Sequence, residues 1–132
     1  MNKKIKLIPL KLLKPHERIF SVKKKILIQD FKKRGIIINP VVADRKTFVI
    51  LDGHHRVAAL KQMGIKNIPV YLVAYPQKKV RVFRRRKKYF FNDIKKAVIS
   101  SGLSGALFPQ KSTRHLIQKR PRNINVKLIK LK

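Results

Sequence analysis

Apolar and polar positions repeat along this chain with two alternating periods, one near two residues and one near 3.6 residues. The first period is typical of β-strands and the second of amphipathic helices. Their alternation predicts an α/β (α+β) fold, in which a small mixed sheet has flanking helices. Strands 40–43 and 47–51 are expected to form a hairpin around residues 44–46. The predicted strands are 5–8, 40–43, 47–51, 68–74, 80–83 and, as a weak final strand, 125–131.

The ends of the predicted helices are marked by capping residues and glycines. Ser21 is of the type that caps a helix N-terminus, and Gly35, Gly64 and Gly102 are of the type that ends a helix. The predicted helices are a single turn at 10–14, then 22–34, 55–63 and a helix that follows a cap at Asn92 or Asp93 and reaches 101.

Length and composition narrow the class of protein. The 132 residues, 44% of them hydrophobic, predict one domain over 1–132 with a core of its own. No apolar run reaches about 18 residues, so no membrane span is predicted. The N-terminal residues do not form a signal-peptide pattern, and cysteine is absent, which excludes disulfides and thiolate chemistry. These features together predict a cytoplasmic protein.

The charge is strongly positive, with 35 Lys and Arg residues against 5 Asp and Glu and a formal net charge of +30. Such a chain attracts polyanions and anionic small molecules such as nucleotides. The densest stretch, 78–88, precedes three aromatic residues. It can hold phosphates and stack bases, or it can be a solvated edge strand. Its candidate nucleic-acid contacts are Lys78, Lys79, Arg81, Arg84, Arg85, Arg86, Lys87 and Lys88.

The segment Asp52-Gly53-His54-His55-Arg56, here called the 52–56 loop, joins a predicted strand to a predicted helix. Gly53 permits a tight turn, and the unpaired N–H groups of a helix start attract anions. His54, His55 and Arg56 add donors, so the loop is a candidate nucleotide-phosphate site. A carboxylate beside a phosphate is repelled unless a cation lies between them, which makes Asp52 a candidate Mg²⁺ ligand. Alternatively, Asp52 only caps the helix and the histidines lie on its surface.

Two further segments contain candidate functional groups. Glu17 follows a rigid Pro15 entry and can accept a proton beside a phosphate site, or it forms a surface ion pair. Nearby cations are expected to depress its pKa. The second segment can bind an amino-acid carboxylate or a phosphate, or it starts a helix capped by Ser112. It consists of Lys111, Ser112, Thr113, Arg114 and His115. The four histidines lack the spacing of a zinc site.

Residues 50–60, followed by 64–65 and 68–70, resemble the ParB/sulfiredoxin superfamily. His54 occupies the position of the sulfiredoxin cysteine, which excludes sulfiredoxin chemistry. Within the superfamily, three segments resemble the free-serine kinases of archaea and the related siderophore-pathway serine kinases of bacteria. These segments are 14–17, 52–56 and 111–115, the last followed by 123–128. The kinases in question are longer, with an extra segment before the third motif.

This resemblance implies phosphoryl transfer from ADP or ATP to free L-serine. Glu17 would then be the base, Asp52 would hold Mg²⁺ or orient the substrate, and the rest of the 52–56 loop would bind phosphates. Residues 111–115 would hold serine. The chain would divide into a nucleotide-phosphate core, 1–75, and a basic C-terminal part, 76–132. The alternative is a ParB-like nucleic-acid-binding protein without enzymatic activity, whose loop is a relic or a nucleotide switch.

Overall fold

Strands and helices alternate along most of the chain in the computed structural model, which describes residues 4–75, 77, 80–85, 93–110 and 112–132. The strands are β1 (Ile5–Pro9), β2 (Ile36–Ile37), β3 (Val41–Asp44), β4 (Ile50–Asp52), β5 (Asn67–Val73), β6 (Val80–Arg84), β7 (Thr113–Ile117) and β8 (Val126–Lys127). The α-helices are α1 (Ser21–Arg34), α2 (His54–Gln62) and α3 (Ile94–Ser104), with single 3₁₀ turns at Leu10–Leu12 and Leu128–Leu131. The predicted fold class, a small mixed sheet with flanking helices, is confirmed.

A mixed sheet with strand order β1-β5-β3-β4 organises the described residues. β3 pairs with β5 in parallel, and the other two pairings in the sheet are antiparallel. The predicted hairpin is therefore present as β3 and β4. Two smaller antiparallel pairs, β2 with β8 and β6 with β7, lie outside this sheet.

The central strand β3 separates two layers of the core. All four of its residues are buried, as expected for a strand covered on both faces. Val41 and Ala43 belong to the hydrophobic cluster that includes Ile28 of α1 and Leu60 of α2. Val42 belongs to the opposite cluster, which includes residues of α3, β6 and β7. The alternation of side chains along β3 thus packs α1 and α2 on one face and the C-terminal elements on the other.

Two predicted helix ends are wrong. α1 begins at Ser21 itself, after Phe20, and no side chain caps it. Gly102 does not end α3 but lies buried inside it. A Cβ at this position would lie 2.6 Å from Val49 Cγ2. The helix ends instead at Gly105, which has the left-handed φ of +77°. Gly102 therefore allows close packing against Val49, the residue before β4, and does not end the helix.

The C-terminal third differs most from the sequence-based expectation. Residues 113–117 form β7, so the alternative in which Ser112 caps a helix is wrong. The predicted weak strand 125–131 is the short β8 followed by a 3₁₀ turn. The predicted turn at 10–14 is a 3₁₀ turn at Leu10–Leu12. None of the helices in the described ranges has the length and hydrophobicity needed to cross a bilayer.

Candidate active site

A cleft of about 470 Å³ opens at the N-terminus of α2, between the 52–56 loop, the segment that carries Glu17, and β7. Both predicted catalytic carboxylates, Glu17 and Asp52, line it. The residues that line it come from both predicted parts of the chain, 1–75 and 76–132. Among the described residues, the cations that line it are Lys23, Arg56, Arg85, Arg114, Arg120 and Arg122. The cleft is therefore suited to a ligand with several negative charges.

The start of α2 has the features of an anion site. Gly53 precedes the helix with a φ of +108°, and no side chain caps the first turn. A Cβ on Gly53 would lie 2.8 Å from Val41 Cγ2 and 3.0 Å from Arg56 Nη2, so a glycine is needed for packing as well as for backbone conformation. The first N–H groups of the helix lie where the helix dipole favours negative charge.

The two histidines of the 52–56 loop hold the segment that carries Glu17. His54 Nε2 accepts the backbone N–H of His16 at 3.1 Å, and His55 Nε2 accepts that of Phe20 at 2.9 Å. These two bonds flank Glu17 on either side. Burial, reinforced by the neighbouring His16, lowers the pKa of His54 to about 3, so its ring is neutral. Both Nε2 atoms are thus acceptors, and phosphate binding by these two histidines stays a prediction.

Glu17 receives two hydrogen bonds from one residue of β7. Thr113 donates to Glu17 Oε1 from its backbone N–H at 2.9 Å and from its hydroxyl at 2.6 Å. Burial alone would raise the pKa of Glu17, but hydrogen bonding from His16 and Thr113 outweighs it and lowers the pKa to about 2. The predicted depression of the pKa is confirmed. Its main origin is hydrogen bonding rather than the surrounding lysines and arginines.

His16, for which no role was predicted, lies at the centre of this arrangement. Its ring is fully buried and its Nδ1 donates to the carbonyl of Ile50 at 2.7 Å. Its Nε2 lies 3.0 Å from Thr113 Oγ1. His16 thereby joins β4 to β7 directly behind Glu17. The dipeptide Pro-His before an acid was a visible signal, but only the fold shows that the ring is internal.

Asp52 is shared by two arginines. Its Oδ2 accepts from Arg56 Nη2 at 3.2 Å and from Arg120 Nη2 at 2.5 Å. Burial would raise the pKa of Asp52, but the hydrogen bond from Arg120 and the charge of Arg56 lower it, so the carboxylate is ionised. Arg56 also donates through Nη1 to the carbonyl of Asn39 at 2.7 Å. Asp52 therefore orients two guanidinium groups at the edge of the cleft.

The third predicted motif is divided between the cleft and the core. Thr113 and His115 are buried and line the cleft, and the intervening Arg114 is exposed at its border. Ser112 is also buried, and its hydroxyl donates to the carbonyl of Pro109 at 2.6 Å rather than lining the cleft. Lys111 lies outside the described residues.

His115 is hydrogen-bonded to Tyr75 behind the cleft. The Tyr75 hydroxyl lies 2.8 Å from His115 Nε2, with both residues buried. Burial raises the pKa of Tyr75 far above its usual value, so the phenol keeps its proton. Burial also lowers the pKa of His115 to about 3. The ring is therefore neutral. Sequence reasoning did not identify Tyr75.

One described residue of the basic run lines the cleft. Arg85 lines the cleft, while Arg81 is exposed and its guanidinium lies 5.2 Å from the centre of the Phe83 ring. Arg84 belongs to β6. Lys78, Lys79, Arg86, Lys87 and Lys88 lie outside the described residues. Lys23, Arg120 and Arg122 were not predicted, because nothing local distinguishes them among 35 basic residues.

The described residues contain no group of three or more His, Asp and Glu side chains placed to hold a metal ion. Both arginines bond the same oxygen of Asp52, so Oδ1 is the atom through which this residue would contact a cation. A single carboxylate together with substrate phosphates is a common set of ligands for Mg²⁺. The donor set thus fits a magnesium ion that arrives with a nucleotide rather than one held by protein alone.

The sequence profile of the ParB N-terminal domain family matches residues 2–84, which is well over half of the chain. The chain belongs to this family. This ParB-family chain is 30% identical over 80 residues to an ATP-dependent L-serine kinase from Staphylothermus marinus, a match that covers 58% of this chain and 32% of that protein. It is 31% identical over 80 residues to the ADP-dependent L-serine kinase SerK from Thermococcus kodakarensis, covering 58% and 33%. The ParB-family chain therefore spans about a third of the length of these curated relatives.

A solved free serine kinase in complex with AMP has the same fold. It aligns with this ParB-family chain at a TM-score of 0.84 and 17% identity, covering 97% of this chain and 93% of that chain. The alignment includes the elements that form the cleft. The fold that brings Glu17, the 52–56 loop and β7 together is therefore shared with a nucleotide-bound kinase.

Proposed function

We propose that this chain transfers a phosphoryl group from ADP or ATP to free L-serine and so forms O-phospho-L-serine. The observation that carries the proposal is the convergence of Glu17, the start of α2 and β7 on one cleft lined by cations. The curated relatives named L-serine kinases support the choice of substrates. We place the reaction in the cytoplasm, where free nucleotides and amino acids are available.

Glu17 is the proposed base. Its carboxylate is ionised and oriented by Thr113, so one oxygen is held while the other can face a substrate hydroxyl. A carboxylate with a pKa of about 2 is a weak base. Phosphoryl transfer passes through a loose transition state that needs positioning more than a strong nucleophile. Glu17 would therefore act mainly by orienting the serine hydroxyl and accepting its proton late in the reaction.

The phosphates of the donor would lie at the N-terminus of α2. The N–H groups that follow Gly53, the guanidinium of Arg56 and the cations across the cleft supply the positive field. His54 and His55 support this subsite by holding the Glu17 segment against it. The donor and the base are thereby kept at a fixed separation, which is what in-line transfer requires.

Serine would lie in the cleft beside Glu17 and next to β7. Arg114 and His115 both line the cleft. Arg114 would pair with the amino-acid carboxylate, and the neutral ring of His115 would contact a polar group of the substrate. Lys111 stays a predicted contact of the same subsite. Ser112 would act indirectly, because its buried hydroxyl fixes the turn at Pro109 that leads into β7.

A magnesium ion is proposed to accompany the nucleotide. When bound, it would neutralise the negative charge that develops on the phosphates during transfer. Asp52 would contact it through Oδ1 while Oδ2 keeps its bonds to Arg56 and Arg120. In this arrangement Asp52 both orients the guanidinium groups and limits the repulsion between them.

The test is formation of O-phosphoserine from serine with ADP or with ATP, with and without Mg²⁺. The proposal predicts product from the wild-type chain and its loss in Glu17→Gln. Asp30→Asn is the matched control, since Asp30 pairs with Arg34 on the exposed face of α1 and should leave turnover unchanged. Absence of product with either nucleotide would refute the proposal, as would a Glu17→Gln variant as active as the control.

A second candidate function is nucleic-acid binding. It is favoured by the outer face of the β6–β7 pair, where Arg81 stacks over the partly exposed Phe83 and Arg114 lies opposite Phe83 in the register. Exposed aromatics beside arginines can stack bases. The measurement is DNA affinity against salt concentration, for which contact with several phosphates predicts a steep linear fall of log K. A shallow dependence with no defined site size would exclude this function.

A further inference from the structure

The Arg120 guanidinium has one buried nitrogen, Nε, that no acceptor meets among the described residues. Arg120 lies in the connection between β7 and β8, and its side chain is 13% exposed. Nη2 donates to Asp52, but the buried Nε–H meets no acceptor among the described residues. A buried, charged donor without an acceptor is strongly unfavourable, so native structures rarely retain one without a ligand or an ordered water.

The surroundings of Arg120 are those of an anion subsite. Arg56, Arg120 and Arg122 all line the cleft at this point, and Asp52 is the carboxylate that pairs with the first two. Burial lowers the pKa of Arg56, and the charges of Arg120 and Arg122 lower it further, despite the opposing effect of Asp52. Positive charge is therefore in excess here. A ligand oxyanion would relieve that repulsion and also accept from Nε.

Asn39 holds the connection that carries Arg120 against the 52–56 loop. Its side-chain oxygen accepts the backbone N–H of Asn123 at 2.9 Å, and its carbonyl accepts from Arg56 Nη1 at 2.7 Å. One residue thus positions both the segment that follows Arg120 and the side chain of Arg56. The two guanidinium groups are prearranged before any ligand arrives.

We propose that Arg120 is a phosphate-binding residue of the cleft, whose Nε–H donates to the terminal phosphate of the nucleotide donor. The terminal phosphate is assigned because Arg120 and Arg56 meet at Asp52, beside the N-terminus of α2. The identity of the ligand rests on the proposed function. Nucleotide binding, however, can be measured without turnover, which keeps the two proposals separable.

The test is calorimetric titration of the full chain with ADP and with AMP at fixed ionic strength. The variants are Arg120→Lys, which keeps the charge but lacks Nε–H and the planar fork, and Arg120→Gln. Arg45→Gln, in the exposed β3–β4 turn, is the control for loss of one positive charge. Thermal unfolding of each variant confirms that it is folded.

Arg120→Lys and Arg120→Gln are expected to weaken ADP binding by about tenfold or more, and AMP binding by less, because AMP lacks the terminal phosphate. Arg45→Gln should bind both nucleotides within about twofold of wild type. Wild-type affinity in Arg120→Lys, equal losses for ADP and AMP, or no nucleotide binding by the wild-type chain would each overturn the inference. A chain that binds ADP through Arg120 but forms no phosphoserine would refute the proposed function and support this inference.

Discussion

Thr113 donates both its backbone N–H and its hydroxyl to one carboxylate oxygen of Glu17, although the two residues lie 96 positions apart in sequence. β7 thus orients the side chain that emerges from the N-terminal part of the chain. The same carboxylate lies between two backbone segments that His54 and His55 hold through their Nε2 atoms. Glu17 is therefore fixed from two sides, by the 52–56 loop and by β7.

Replacement of Thr113 tests this relationship. Thr113→Val keeps the backbone donor but removes the hydroxyl, so the pKa of Glu17 should rise from about 2 towards its ordinary value. Turnover should fall by about tenfold, because the carboxylate is less well oriented. Thr113→Ser keeps the hydroxyl and should resemble wild type in both respects.

The measurement for Thr113 is a ¹³C NMR titration of the Glu17 carboxyl group, which does not depend on activity, together with the pH–rate profile. The acid limb of the profile should move to higher pH in Thr113→Val. Identical titrations of the valine and serine variants would show that the hydroxyl does not set the pKa of Glu17.

Acid should destabilise the protein in two stages. His54 and His115 have pKa values of about 3 in the folded state, against 6.5 in the unfolded chain. Their contribution to the free energy of unfolding is complete above pH 6.5. It is lost as pH falls towards 3, because in this range only the unfolded chain binds the protons. Glu17, with its pKa lowered from 4.5 to about 2, adds a second loss below pH 4.5. Each neutral histidine steepens the decline by about 1.4 kcal/mol per pH unit.

Denaturant unfolding at a series of pH values measures these stages. His115→Gln should reduce the slope of the unfolding free energy against pH by the equivalent of one proton between pH 6.5 and 3. Glu17→Gln should alter this slope only below pH 4.5. An unchanged slope between pH 6 and 5 in His115→Gln would contradict a neutral, buried His115.

Gly53 should be required for both folding and phosphate binding. In Gly53→Ala the new Cβ meets Val41 and Arg56 at a φ of +108°, so the start of α2 must shift. Nucleotide affinity should fall by about tenfold or more. Gly64→Ala is the matched control, since it has a φ of +77° but nothing within 4 Å of the added Cβ. The control should lose about 1 kcal/mol of stability and no nucleotide affinity. Equal affinity losses in the two variants would indicate general strain.

Gly102→Ala should destabilise the protein although alanine favours helices. The added Cβ would lie 2.6 Å and 2.7 Å from the two methyl groups of the fully buried Val49. Overpacking should outweigh the gain in helix propensity, for a net loss of about 1–2 kcal/mol in the free energy of unfolding. Ser100→Ala, at an exposed position on the same helix, is the control and should be neutral or stabilising. A more stable Gly102→Ala would contradict the packing of α3 on Val49.

The sequence sufficed where the signal was local. The 52–56 loop was found because a strand, a glycine and a helix start follow one another within a few residues. β7 was missed because its buried positions include Thr113 and His115, which look polar in the pattern of the sequence. Arg120 is one basic residue among 35, and only tertiary structure places it against Asp52. Gly102 was predicted to end a helix because glycine is typical both of helix ends and of positions where a helix packs closely on its neighbour.

The most direct test of the central claim is a crystal structure of the wild-type chain with ADP and L-serine. The nucleotide phosphates should lie at the N-terminus of α2, and the serine hydroxyl should lie within hydrogen-bonding distance of Glu17, about 2.6–3.2 Å. Phosphates bound away from the 52–56 loop, or serine bound out of reach of Glu17, would contradict it.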